Sequence, residues 1–278
     1  MHRLPRLLFL LFAVLLDAKM TRAQLPFYTD DPAVTASGKL HFEFFDEYDA
    51  LQSSQFPDLR QNTANFKLNY GLPHNVEVDI DAPYISVLRV PGVQSSSGIG
   101  DTDLGLKWEF HRSSKDSRLP ALGVSFYVEF PTGDTYTGLG SGLEDYWLNF
   151  IVQVPLSDKT RINANFGYLF AGNTSTGAMG IKTTRGHVYT GGVSVLHDFT
   201  SRLTLGIEAY GGLSSSDVLG RSQLQFLAGG QYAVRNGLAV TFGILGGKYI
   251  ASPRIGGQIG LSVDFPDVFG RGSERDTN

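Results

Sequence analysis

The chain has 278 residues, 12% of them aromatic, and contains no cysteine, so no disulfide framework and no thiolate metal site can form. Its formal net charge of −4 argues against a nucleic-acid partner.

Residues 1–23 read as a secretory signal peptide. Arg3 and Arg6 give a positive start, Leu7 to Leu16 a short apolar run, and Thr21-Arg22-Ala23 a small-residue cleavage site. The apolar run is about half of the ~20 residues a spanning helix needs. Removing the leader takes away Arg3, Arg6, Lys19 and Arg22 against Asp17, which leaves the mature part near −7. No run of 18 apolar residues follows, which argues against helical spanning, and without cysteine there is no lipid-attachment site. Residues 24–38 are expected to form a periplasmic N-terminal segment, too short for the plug of an energy-coupled importer.

Twelve stretches then alternate apolar and polar residues with the period of two that strands impose. Lys39 to Tyr48 sets Leu40, Phe42 and Phe44 on one face, and Thr63 to Tyr70 alternates Phe66 and Leu68 with Asn65 and Lys67. Val76 to Val87 interleaves Val76, Val78 and Ile80 with Glu77, Asp79 and Asp81, the sharpest pattern in the chain. Ile99 to Phe110 and Ala121 to Phe130 follow, then Asp145 to Val154, Arg161 to Phe170 and a glycine-rich stretch, His187 to Leu196. Arg202 to Gly211, Gln223 to Val234, Leu238 to Tyr249 and Arg254 to Phe265 complete the series.

Short turns at Gly71–His74, Pro155–Asp158, Asp198–Ser201 and Arg235–Gly237 alternate with longer polar connections. Two connections fit less well: His111 to Leu119 is long for a turn, and Ile250 to Pro253 is short for a loop. The expected fold is all-β, a transmembrane antiparallel up-and-down β-barrel of about 12 strands over residues 39–265. It would lie in the cell outer membrane of a Gram-negative bacterium, against membrane lipid and lipopolysaccharide. Both termini, including a polar C-terminal tail at 266–278, would be periplasmic. A soluble barrel or sandwich shows the same alternation with the apolar face inward. Against it stand the high strand number and a second face that is charged in strand after strand.

With apolar faces toward lipid, the lumen would be lined by Glu43, Lys67, Glu77, Asp79, Asp81, Asp103, Lys107, Glu109, Glu129, Arg161, Arg202, Glu208, Arg254 and Asp264. Such charges stand at membrane depth because they face water or one another. They can form ion-pair ladders that fill a narrow lumen, or set a field that favours cations and polar neutral solutes over anions. Asp79 and Asp81 share a face at a spacing compatible with glycoside cleavage, but nothing else supports a sugar-cleaving site. The histidines show no ligand spacing, and the His and Ser pairing of outer-membrane phospholipases is missing. Gly98-Ile99-Gly100-Asp101 precedes a strand, so it fails the context of a phosphate-binding loop. No catalytic residue, metal site or cofactor is expected, and the protein does not read as an enzyme.

Two segments resemble known families. Gln258, Gly260, Val263 and Phe265 resemble the C-terminal signal by which the outer-membrane assembly machinery recognises barrels, although this chain continues past the aromatic residue. The stretch Gly98-Ile-Gly100-Asp101-Thr-Asp103-Leu-Gly-Leu-Lys107-Trp108, with Pro131-Thr132-Gly133 closing the next strand, resembles the bacterial outer-membrane family of the MetA pathway of phenol degradation. That resemblance implies a barrel and passive uptake of small molecules, with hydrophobic or aromatic compounds as candidates. The motif itself reads either as a bend that closes the barrel or as a constriction. The expected function is an outer-membrane channel or facilitated transporter; the alternative is a structural or surface-interaction barrel without an open pore.

Overall fold

A computed structural model describes residues 26–53, 60–88, 95–113, 119–171, 186–214, 222–249 and 251–265. The expected signal peptide and the tail at 266–278 lie outside the described residues.

The chain forms β1 (Leu40–Ala50), β2 (Arg60–Leu72), β3 (Val76–Leu88), β4 (Ser96–Ile99), β5 (Thr102–His111), β6 (Ala121–Phe130) and β7 (Asp145–Pro155). β8 (Thr160–Ala171), β9 (Gly186–Asp198), β10 (Leu203–Ser214), β11 (Ser222–Arg235), β12 (Leu238–Gly247) and β13 (Ile255–Phe265) complete it. Every pairing between them is antiparallel, and β13 returns to β1 in an unbroken register from Leu40↔Phe265 to Ala50↔Ile255. Twelve strands thus close a barrel, and β4 is a short thirteenth strand that pairs with β3 alone. Closure removes the sheet edges, whose unpaired amides and carbonyls could not be satisfied in hydrocarbon.

Strand bounds follow the sequence pattern to within three residues at every stretch but one. The expected strand Ile99 to Phe110 is interrupted at Gly100 and Asp101. The Gly100 N–H donates to the Pro83 carbonyl at 2.8 Å, so the chain keeps to β3 across the interruption and its register shifts by one residue before β5 starts at Thr102.

Polarity is inverted relative to a soluble barrel. Phe166 is 64% exposed and Ile244 69%, whereas Glu43, Glu77 and Lys107 are each 3% exposed. Leu104, Leu106 and Trp108 project outward from β5, and Phe126, Leu148 and Phe150 continue the apolar belt on β6 and β7. Burying charge while exposing large apolar groups is favourable only where the outer surface meets acyl chains.

The stretch expected as a periplasmic segment at 24–38 is placed by the structure inside the barrel from Pro26 onward. Ser37 bridges to Gly71 beside the β2–β3 turn, and a side chain at Gly71 would collide with the Thr35 and Ala36 carbonyls. From there residues 35 to 26 run inward until Pro26 abuts Gly229 and Gly243, near the middles of β11 and β12. Phe27 packs with Leu196, Leu227 and Leu245, a small apolar cluster on the inner wall. Alternation could not reveal this path, because Phe27-Tyr28-Thr29-Asp30-Asp31-Pro32 has no strand period and finds its partners only across the closed barrel.

Ile80→Arg, on the outward face near the middle of β3, is expected to cost about 2–4 kcal/mol of folding stability in a bilayer. Urea unfolding into lipid vesicles measures this; a loss near zero contradicts a lipid-facing Ile80.

Candidate functional site

The inner wall holds the N-terminal segment through charged hydrogen bonds. Glu208 of β10 accepts the Tyr28 N–H at 3.1 Å, the Thr29 N–H at 2.6 Å and the Thr29 hydroxyl at 2.7 Å. The Tyr28 hydroxyl donates to Glu47, and Gln258 of β13 donates to the Pro26 carbonyl at 3.0 Å. Lys107 bridges Asp30 at 3.2 Å and Glu77 at 3.3 Å, while Glu77 also accepts the Thr35 N–H. One lysine therefore ties the segment to β3 and β5.

The candidate lumen residues divide by role. Glu43, Glu77, Asp79, Lys107, Glu109, Arg161, Glu208 and Asp264 are buried on the inner wall, and Lys67, Asp81, Asp103 and Glu129 line its cavity. Several serve as ion pairs near the short-turn end: Glu109 with Arg112 at 2.6 Å, Arg161 with Asp198 at 3.0 Å, and Asp264 with His41. Arg202 and Arg254 are corrections to the expected lining. Both are exposed and lie one residue before β10 and β13, where the chain is still turning and the alternation that assigned them inward has not begun.

The glycine and aspartate motif makes a clasp at the long-loop end. Asp101 accepts the Gly133 N–H at 2.9 Å and the Ser141 N–H at 2.6 Å. Thr132 donates its hydroxyl to the Gly100 carbonyl at 2.7 Å. Side chains at Gly133 and Gly140 would collide with the Leu139 carbonyl and the Asp101 carboxylate. Thus clasped, residues 131–144 fold inward and bury Leu139 against Ile85 and Val87. One set of contacts thus joins the bend at Gly100–Asp101 to the inward fold of this loop.

Between this loop and the N-terminal segment lies a cavity of about 380 Å³. Tyr127 and Trp147 line it with ring centroids 5.9 Å apart. The Tyr127 ring lies over Gly105 of the neighbouring strand, and the Trp147 indole nitrogen lies against Gly167, so that a Cβ at either glycine would collide. The Tyr127 hydroxyl donates to Asp79 at 3.1 Å, and the Trp147 indole N–H donates to Thr190 at 3.1 Å.

Sequence reasoning missed Tyr28, Asp30, Glu47, Asp49 and Asp145, all of which line the cavity. Glu47 and Asp49 continue the face of Glu43 along β1 and were legible by extending its period. The place of Asp145 is visible only from its register opposite Glu129. Among the described residues no group of three or more His, Cys, Asp or Glu has the geometry of a metal site.

Solved structures share this architecture. An outer membrane channel from Pseudomonas putida F1 is similar with a TM-score of 0.65 at 14% identity, covering 84% of this chain and 98% of that one. The NanC porin matches with a TM-score of 0.56 at 9% identity, over 80% of this chain and 98% of its own. The KdgM porin matches with a TM-score of 0.53 at 9% identity, over 81% and 99%. At these identities the likeness establishes the fold, that of an outer-membrane β-barrel. No curated protein matches the chain in sequence. A family model does match residues 75–265, which include the Asp101 clasp, Tyr127, Trp147 and the closing strand, and the chain accordingly belongs to the family described as "Putative MetA-pathway of phenol degradation".

Proposed function

We propose that the protein is a passive channel of the outer membrane for small molecules, with hydrophobic or aromatic compounds as the candidates its family suggests. The observation that carries this reading is a polar, acid-rich cavity enclosed by a shell whose outer face is apolar. The three solved structures named above are described as a channel and two porins, which supports the same reading. The short-turn end faces the periplasm in this assignment, as in other barrels of this type. The N-terminal segment then enters the lumen from the periplasmic side, and the clasped loop narrows the external mouth. No catalytic step is assigned. The lipid belt contacts phospholipid and lipopolysaccharide. Gln258, Gly260, Val263 and Phe265 carry the assembly signal, and in the folded barrel Gln258 also holds Pro26.

Segment occupancy of the lumen favours one second reading, a structural barrel with no open pore. Planar-bilayer recording separates the two. The channel gives a small, steady, cation-preferring current, whereas no current over many insertions supports the closed barrel. Replacing Asp79, Asp81 and Asp103 together by Asn is expected to move the reversal potential in a KCl gradient toward zero; an unchanged potential refutes their place in the pore.

Glu208→Gln tests the hold on the segment. It weakens three bonds to a carboxylate, each of the class worth ~1.5–3 kcal/mol. Amide exchange at Tyr28 and Thr29 is expected to quicken at least tenfold, with conductance rising severalfold. Unchanged exchange and conductance contradict the role given to Glu208.

A further inference from the structure

The residues paired across the strands form one acidic row. Asp145 stands opposite Glu129, Glu129 opposite Asp103, Asp103 opposite Asp81, Asp81 opposite Lys67, and Lys67 opposite Glu43. Strands in a barrel tilt against its axis, so a row perpendicular to them changes height as it crosses the wall. This one starts at Asp145, the long-loop end of β7, and reaches Glu43, the fourth residue of β1 from its short-turn end.

Like charges on directly opposed cross-strand positions oppose pairing. In register, Asp103 stands between Glu129 and Asp81 with no basic side chain among the three, and Lys67, between Asp81 and Glu43, is the one basic side chain of the row. The cavity beside it is lined by nine carboxylate residues and by that single lysine. A second observation is independent of the carboxylates. Gln61 and Asn65, 5% and 9% exposed, line the same cavity, and their side-chain oxygens have no donor. The wall therefore offers acceptors in excess, and its complement is a ligand rich in N–H donors and positive charge.

The aromatic pair specifies the rest of that ligand. Tyr127 and Trp147 line the cavity side by side, and Lys67 already places its ammonium 5.9 Å from the Tyr127 centroid. A cation so placed is attracted by the ring quadrupole. The lysine shows that an ammonium is favoured beside these rings, whose remaining surface is left to an apolar body. A volume of about 380 Å³ accommodates a phenyl ring with a short chain.

We propose that the upper lumen is a binding track for organic cations: a protonated amine on an aromatic or short aliphatic body, held by the Asp103–Glu129–Asp145 row and the Tyr127–Trp147 pair. This names the solute class of the channel proposed above; passage rests on that reading, whereas binding does not.

The test uses the mature protein in detergent micelles, titrated by calorimetry with phenethylammonium, phenethyl alcohol and 3-phenylpropionate. The ammonium is expected to bind at least tenfold more tightly than the alcohol, and the carboxylate not measurably. The double variant Asp103→Asn with Glu129→Gln is expected to lose about tenfold in ammonium affinity and leave alcohol binding unchanged. Should it fail to fold, Glu129→Gln alone is expected to lose severalfold. Equal binding of ammonium and alcohol, undiminished affinity in the variants, or displacement by K⁺ at the amine's own concentration overturns the proposal. Ammonium binding in a protein that passes no current leaves the track standing and sinks the channel; a steady current without ammonium preference does the reverse.

Discussion

Closure of β13 onto β1 is the constraint on which the rest of the structure depends. Eleven residue pairs join these strands, so both first and last strand have two hydrogen-bonded neighbours. Within hydrocarbon no other arrangement of strands satisfies the backbone, since each unpaired amide or carbonyl costs several kcal/mol. With the backbone satisfied by the sheet, each side chain is sorted only by which face of the strand it occupies. The period of two sends Ile80 and Leu106 outward and Asp79, Asp81 and Lys107 inward. The single unclosed element, β4, lies at the long-loop end, beyond the ladder that joins β3 to β5.

An interior built this way must be filled by polar groups that satisfy one another. The Asp30, Lys107 and Glu77 group does so near the short-turn end, and Thr35 adds a donor to Glu77. Removing one member of such a buried set costs about 3–5 kcal/mol, because the remaining charge stays buried without its partner. The N-terminal segment is thus more than an occupant of the lumen. Asp30 and the backbone at 28–29 and 35 neutralise or satisfy Lys107, Glu208 and Glu77, which in its absence would need other partners. Glycines permit the close packing: Gly229 and Gly243 receive Pro26, and Gly105 and Gly167 receive the two rings.

The strands were legible from the sequence because the barrel exposes each of them to two unlike environments, so alternation is nearly undisturbed. Asp79 and Asp81 could be placed from Val78 and Ile80 alone. Arg202 and Arg254 could not, since side-chain alternation carries no information about the residue at which a ladder begins. The split at Gly100 and Asp101 was hidden for a different reason: the partners of Asp101 are amides of residues 133 and 141, and nothing in the local pattern announces a contact over forty positions. The path of residues 26–35 was hidden likewise, because most of its contacts are with strands far along the chain. Cross-strand register, and with it the acidic row, is a property of pairing that no single strand displays.

The two halves of the lumen consequently differ in electrical character. Toward the short-turn end carboxylates are engaged: Glu109 with Arg112, Asp264 with His41, Glu77 with Lys107, and Glu208 with the backbone of the N-terminal segment. Toward the long-loop end Asp103 and Glu129 face each other in register, and Asp101 spends its oxygens on amides of the clasped loop. A low-dielectric wall around such a cleft focuses its field along the opening. On the proposed reading, a cation entering from the long-loop end meets attraction first and reaches Lys67, the sole basic side chain of the row, at the level where the N-terminal segment also narrows the way. The same wall that draws in positive charge thus supplies an internal barrier to its progress, and passage depends on whether the segment held by Glu208 can yield.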